Sequence, residues 1–214
     1  MDKIRIHFIG EGGVEEEALF KLIDNYGCND NIIFSHENCG GAGNIPYYYQ
    51  NELPLGNYDI IYCLYDVDDK VNDEKSQYNI IRKKLLRVLG SEDLVDKISL
   101  CTNPNILLLL LLGYADVSEL NELTTSKKKN TKIIGKYCHE IGRTKEYDGH
   151  KWQVDLILNG YLDGRASYGK ILDSYNQVST NYKKESIASN VIIVLKALKE
   201  GDIQYFNEIM NYLK

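Results

Sequence analysis

The sequence predicts an α/β fold, a mostly parallel sheet with helices on both faces, followed by a mainly helical C-terminal region. Three observations lead to it. Strand-like runs alternate with stretches of helical spacing through residues 3–114, the pattern of a parallel sheet linked by helical crossovers. The run Tyr58–Tyr65 (YDIIYCLY) is nearly continuously apolar and rich in aromatic and β-branched residues, as suits a central strand covered on both sides. Beyond the polar, basic stretch Thr124–Lys132 (TTSKKKNTK) the strand pattern fades. That stretch is the best candidate for a linker, so the expected division is an α/β unit over residues 1–123 and a mainly helical region over 124–214.

Each element has its own reason. Lys3–Ile9 alternates apolar and polar residues and ends at Gly10-Glu11-Gly12-Gly13, where the chain must turn or approach something closely. Glu15–Tyr26 carries Ala18, Leu19, Leu22 and Ile23 at helical spacing and stops at Gly27. Asn31–Ser35 is a short strand. The glycines of 40–43 precede a short helix around Ile45–Glu52, and Pro54 and Gly56 then break the chain. The apolar strand 58–65 stops abruptly at Asp66-Val67-Asp68-Asp69. Lys75–Leu89 is a helix with Ile80, Ile81, Leu85 and Val88 expected inside. Lys97–Cys101 is a strand, and Asn103-Pro104 opens the apolar helix Ile106–Tyr114, proline being tolerated in a first turn. Four further helices are expected at Trp152–Leu158, Tyr168–Tyr182, Ser186–Glu200 and Asp202–Leu213.

Composition narrows the class. A chain of 214 residues, 43% hydrophobic and 26% charged, buries roughly 70% of its unfolded surface and needs no disulfide or metal staple. Its five cysteines form no Cys-x-x-Cys pair and read as reduced thiols of a cytoplasmic protein. Cys63 and Cys101 are expected inside strands. The longest apolar run, Ile106–Leu112, is far too short to cross a membrane, and the start lacks the basic head and apolar core of a signal peptide. The net charge of −6 argues at first against a nucleic-acid partner. It conceals a split, −11 up to Leu123 and +5 from Thr124 onward, of the kind that can mark a polyanion partner.

Carboxylates carry the chemistry. In an open parallel sheet ligands bind beyond the carboxyl ends of the strands. Glu11 follows the first strand between glycines, and Asp66 and Asp68 follow the apolar strand. Acids gathered at one edge repel unless a hard divalent cation sits among them, and Mg²⁺ or Mn²⁺ prefers such oxygen ligands. The plainer alternative is a loop with a helix N-cap for the aspartates and a favourable macrodipole contact for Glu11.

A strand ending in Glu-Gly, a helix, then a hydrophobic strand ending in Asp-x-Asp resembles the TOPRIM domain. Here these are Ile9-Gly10-Glu11-Gly12 and Tyr65-Asp66-Val67-Asp68. Within TOPRIM proteins the chain is most similar to the RloB-like and abortive-infection (OLD-type) defence nucleases. Gly10-Glu11-Gly12-Gly13-Val14-Glu15 matches their Glu-Gly-x-x-Glu, and Thr102-Asn103-Pro104-Asn105-Ile106 with its leucine run looks like their Ser-Asn-Pro segment and apolar helix. The likeness spans roughly residues 3–115. It implies a Mg²⁺-dependent nuclease acting on RNA, tRNA included, or DNA, as the effector of an anti-phage module. Glu11 would be a general acid–base or metal ligand, and Asp66 and Asp68 would hold the ion. Glu15 and Asp69 would touch a metal-bound water or else only start helices. Asn103 would reach the same edge or simply form a turn. Relatives carry Phe-Glu, Trp and a terminal His in the apolar helix, where this chain has Ile106-Leu107, Leu109 and Gly113. Those departures motivate the alternative, a catalytically weakened TOPRIM module that binds a protein or nucleic acid.

Other residues give less. Gly40-Gly41-x-Gly43 lacks the Lys-Ser/Thr of a P-loop, so it is read as a turn, and any regulatory ATPase must be a separate partner. A homodimer is the other assembly considered. Lys127-Lys128-Lys129, Lys132 and Lys136 suit either a phosphate backbone or a solvated linker. Tyr47-Tyr48-Tyr49 suits base stacking, though one buried and two surface tyrosines is the commoner outcome. His7 is expected partly buried. His139 and His150 lie beside Arg143 and Lys145, where a catalytic or phosphate role is the less favoured reading. No nucleophile elbow is present, and the Asp nucleophile of a carboxylate phosphatase is replaced by Gly10-Glu11 at the first strand end.

Overall fold

The computed structural model describes residues 3–66, 74–102, 106–114, 127–138, 151–177 and 189–213. Its centre is a four-stranded, all-parallel sheet of β1 (Ile4–Gly10), β2 (Ile32–Asn38), β3 (Ile60–Asp66) and β4 (Ser99–Thr102), in the order β2-β1-β3-β4. The α/β class expected from the alternation is the one observed. β1 and β3 occupy the middle, where a strand buries both faces, and Ile60 to Tyr65 are accordingly all buried. β2 forms an edge, and its Ile33 is half exposed.

Helices α1 (Val14–Tyr26) and α3 (Gln77–Leu89) lie on opposite faces of this sheet. Phe20 of α1 meets Phe8 edge-on, and Phe8 stacks on Tyr62 with ring centres 5.5 Å apart. Tyr65, three positions beyond Tyr62, points to the other face. There it approaches Tyr78 of α3 and donates its hydroxyl to Ser99 Oγ at 2.9 Å. Helix α2 (Ile45–Glu52) packs beside α3. Between α3 and β4 lies α4 (Glu92–Ile98), a seven-residue helix that periodicity alone does not announce. Ser91 caps it by accepting from the Leu94 amide, just after Gly90 closes α3 at φ 72°. Ile80, expected inside α3, faces solvent instead, while Ile81 and Leu85 fill the interior.

After α5 (Ile106–Leu111) and a single 3₁₀ turn (Leu112–Tyr114) come α6 (Lys127–Tyr137), α7 (Lys151–Leu162), α8 (Tyr168–Gln177), α9 (Ser189–Glu200) and α10 (Ile203–Leu213). The expected linker is therefore corrected: from Lys127 it is the first half of a helix. Lysine is a good helix former, and Thr131, Ile133 and Ile134 of this helix are buried. α9 packs on β4, and α10 reaches β3 and α4. Val191, Leu195, Leu198, Phe206 and Ile209 thus join one buried cluster with Ile6, Phe8 and Tyr62.

A reciprocal contact ties α7 to the end of the apolar helix. A Cβ added at Gly113 would lie 2.3 Å from the Tyr161 hydroxyl, and one at Gly160 would lie 1.9 Å from that of Tyr114. Each ring thus covers the other partner's glycine. The Tyr161 hydroxyl donates to the Leu110 carbonyl and that of Tyr114 to the Ile157 carbonyl, while the Ser167 amide donates to the Gly113 carbonyl at 2.9 Å. Among the described residues no helix is long and apolar enough to cross a membrane.

Candidate functional site

The connections leaving β1 and β3 diverge. β1 runs through α1 to β2 on one side, whereas β3 runs through α3 and α4 to β4 on the other. Adjacent parallel strands whose connections part in this way open a crevice beyond their carboxyl ends, the usual ligand position in open α/β sheets. Glu11 and Asp66 stand there. β1 and β3 pair as far as Gly10 opposite Leu64, and the Glu11 amide then donates to the Leu64 carbonyl at 3.2 Å. Glu11 is consequently tied to β3 two residues before Asp66, whose own partner on the far side is Thr102. Neighbouring strands lie about 4.8 Å apart, so the backbones of the two acids belong to one edge.

The loop that presents Glu11 is built tightly. Gly12 has φ 91°, and a Cβ there would fall 1.9 Å from the Asn38 amide oxygen. Glycine is required on both counts: the left-handed backbone and the close approach of Asn38. Asn38 itself accepts from the Gly40 amide at 2.7 Å. Buried Cys39 donates its amide to the Gly10 carbonyl at 3.0 Å and places its sulfur 2.9 Å from the same oxygen. The end of β2 and the glycine loop after it therefore clasp the end of β1. Asn38 and Cys39 are the site-shaping residues that sequence reasoning missed; their position immediately before the second glycine cluster was the available signal. The Gly40–Gly43 segment is a turn, with φ 70° at Gly40 and 138° at Gly41, leading into the 3₁₀ turn Ala42–Asn44.

The other expected site residues divide plainly. Glu15 lies in the first turn of α1, and for it and Asp66 only the backbone is described. Asp68, Asp69, Asn103, His139 and His150 lie outside the described residues. Among the described residues no three acidic, histidine or cysteine side chains gather to hold a metal ion; of the four proposed ligands, Glu11 alone has its side chain among them. Gly113 is covered by the Tyr161 ring. A side chain at that position has no room.

His7, in the middle of β1 opposite Ser35 and Ile61, is 3% exposed. Its Nδ1 lies 2.8 Å from Ser35 Oγ, and its ring stacks on Tyr58 at 4.3 Å. Burial, with a smaller contribution from His36, pushes its pKa below the usual histidine value. Glu37 sits 3.9 Å from Nε2 and half exposed, too distant for a hydrogen bond that would counter the burial. Tyr49 is fully buried, Tyr48 half-buried and Tyr47 exposed, close to the expected arrangement. Cys28, Cys39, Cys63 and Cys138 are in no disulfide. In comparison with known proteins, no family model, no curated protein and no solved structure matches this chain.

Proposed function

We propose that this chain is a Mg²⁺- or Mn²⁺-dependent nuclease of TOPRIM type, similar to the RloB-like and OLD-type defence proteins. It would hydrolyse phosphodiester bonds of RNA, tRNA included, or of DNA in the cytoplasm, as the effector of an anti-phage module. One observation carries this: Glu11 and Asp66 terminate the two central strands at the point where their connections diverge. Carboxylate oxygens on adjacent strand ends suit a small hard cation. Glu11 and Asp66, with Asp68 and Glu15, are the ligand set. Such an ion, when bound, supplies charge neutralisation at phosphate and an acidified water. Glu11 would take up or release a proton there, its backbone held by the hydrogen bond its amide donates to the Leu64 carbonyl and by Gly12 against Asn38. Regulation by nucleotide hydrolysis would fall to a separate ATPase.

The test is cleavage of labelled tRNA, single-stranded RNA and plasmid DNA with Mg²⁺, Mn²⁺ or EDTA. Glu11→Ala and Asp66→Ala should each lower the rate about a hundredfold or more, since even residues behind metal ligands cost tenfold to a hundredfold. Cleavage that persists in EDTA, or in both variants, would sink the metal–carboxylate mechanism. A second reading, a TOPRIM module that binds without cleaving, is favoured by one feature: the Tyr161 ring occupies the place at Gly113 where the resembling nucleases carry histidine. Metal-independent binding with no cleavage of any substrate would decide for it.

A further inference from the structure

An open groove of about 510 Å³ lies between α2 and α3, lined by Gly43, Tyr47, Gln50, Lys84, Arg87 and Val88 among others. Its charge is unusual for its surroundings. Residues 1–123 carry −11, yet α3 holds Arg82, Lys83, Lys84 and Arg87 and no acid. Arg82 pairs with Asp96, and Lys83 lies 3.9 Å from Glu74. Among the described residues Lys84 and Arg87 pair with no acid, and both are exposed on the groove. On the same groove Tyr47 is 66% exposed, an aromatic ring in solvent that shares the cavity with two cations. Solubility alone accounts for a lysine, and the end of a helix for an arginine in its last turn. Neither accounts for the ring or the cavity.

We propose that this groove binds a single-stranded nucleic acid, with Lys84 and Arg87 on successive phosphates, Tyr47 stacked on an unpaired base and Gln50 at a base edge. Aromatic stacking requires a base free of its partner, which selects single strands over duplex. The volume suits one or two nucleotides. Gly43, which lines the groove, belongs to the loop whose first residue, Cys39, clasps the end of β1, so the groove and the Glu11 edge share one loop. The substrate role rests on the nuclease proposed above; the binding itself does not.

The two separate in experiment. Fluorescence anisotropy of labelled oligouridylate, oligodeoxyuridylate and a duplex is measured in EDTA, where metal-dependent cleavage is silent. Lys84→Ala/Arg87→Ala should weaken single-strand binding about tenfold and lower its salt slope by about 1.4, or 0.7 for each phosphate contact. Tyr47→Ala should weaken it about fivefold or more and leave duplex binding unchanged. Lys170→Ala, on α8, should bind as wild type. Tighter binding of either strand identifies the sugar and supports the groove. The inference is overturned if the wild type binds no strand, if the groove variants bind as wild type, or if polyglutamate displaces the strand as readily as an oligonucleotide does, which would mark an acidic-protein site. Intact binding lost in the variants, with no cleavage under any metal, would reject the nuclease and keep the groove. Wild-type binding and cleavage by the groove variants would do the reverse.

Discussion

Two residues show how single positions constrain this molecule. Gly113 lies beneath the Tyr161 ring, and a methyl group there would stand 2.3 Å from the hydroxyl and 2.6 Å from ring carbons. Gly113→Ala should therefore destabilise the fold by about 1–3 kcal/mol, the usual cost of overpacking, read as a shift in the urea midpoint. An unchanged midpoint would show that the ring has room to move. His7 makes a pH prediction. Its folded pKa lies below the unfolded value near 6.5 because burial disfavours the charged ring. The unfolded state then binds more protons, so stability is complete above about pH 6.5 and falls as acid carries the pH down toward the folded pKa. His7→Gln should flatten the loss of melting temperature between about pH 6.5 and 5 relative to wild type; parallel curves would assign the acid sensitivity elsewhere.

At the scale of elements, the short helix α4 depends on its ends more than on its length. Seven residues are too few for stability from propensity alone. Ser91 satisfies one of the unpaired amides at its start, Asp93 and Glu92 sit in its first turn, and Lys97 in its last. Ser91→Ala should cost about 1 kcal/mol, measured by denaturant unfolding, and Ser91→Asp should restore most of it. The loss matters for the site because α4 leads directly into β4, the strand that pairs with Asp66. If hydrogen exchange in β4 is unaffected by Ser91→Ala, packing of Leu94, Val95 and Ile98 holds that strand without the cap.

For the whole molecule, the sheet depends on the last two helices. Leu195 and Leu198 of α9 and Phe206 and Ile209 of α10 are buried in the same cluster as the central strands. Phe206→Ala should cost about 3–5 kcal/mol. A fragment of residues 1–123, which lacks both of these helices, should lack a cooperative thermal transition. A sharp transition in that fragment would instead make residues 124–214 an addition to a self-sufficient unit.

Much of the architecture was legible in the sequence because periodicity reports burial. The run 58–65 marked a strand covered on both faces, and Leu19, Leu22 and Ile23 marked the inner side of α1. Glu11 and Asp66 were legible as strand-end acids because a parallel fold places all such ends at one edge. Local pattern could not reveal what depends on neighbours distant in the chain. Nothing near Lys127 announces a helix that buries Thr131, Ile133 and Ile134, and nothing near Gly113 announces Tyr161. The strand order that makes β1 and β3 neighbours, the pressure of Asn38 on Gly12, and the groove that Tyr47 shares with Lys84 and Arg87 are long-range features. The sequence by itself determined which segments become strands and helices and which acids end the strands, since hydrophobic spacing acts within a few residues. Only tertiary structure decided which of those ends adjoin and which cations share a groove with an exposed ring, because those follow from how the sheet is ordered and how the helices pack against it.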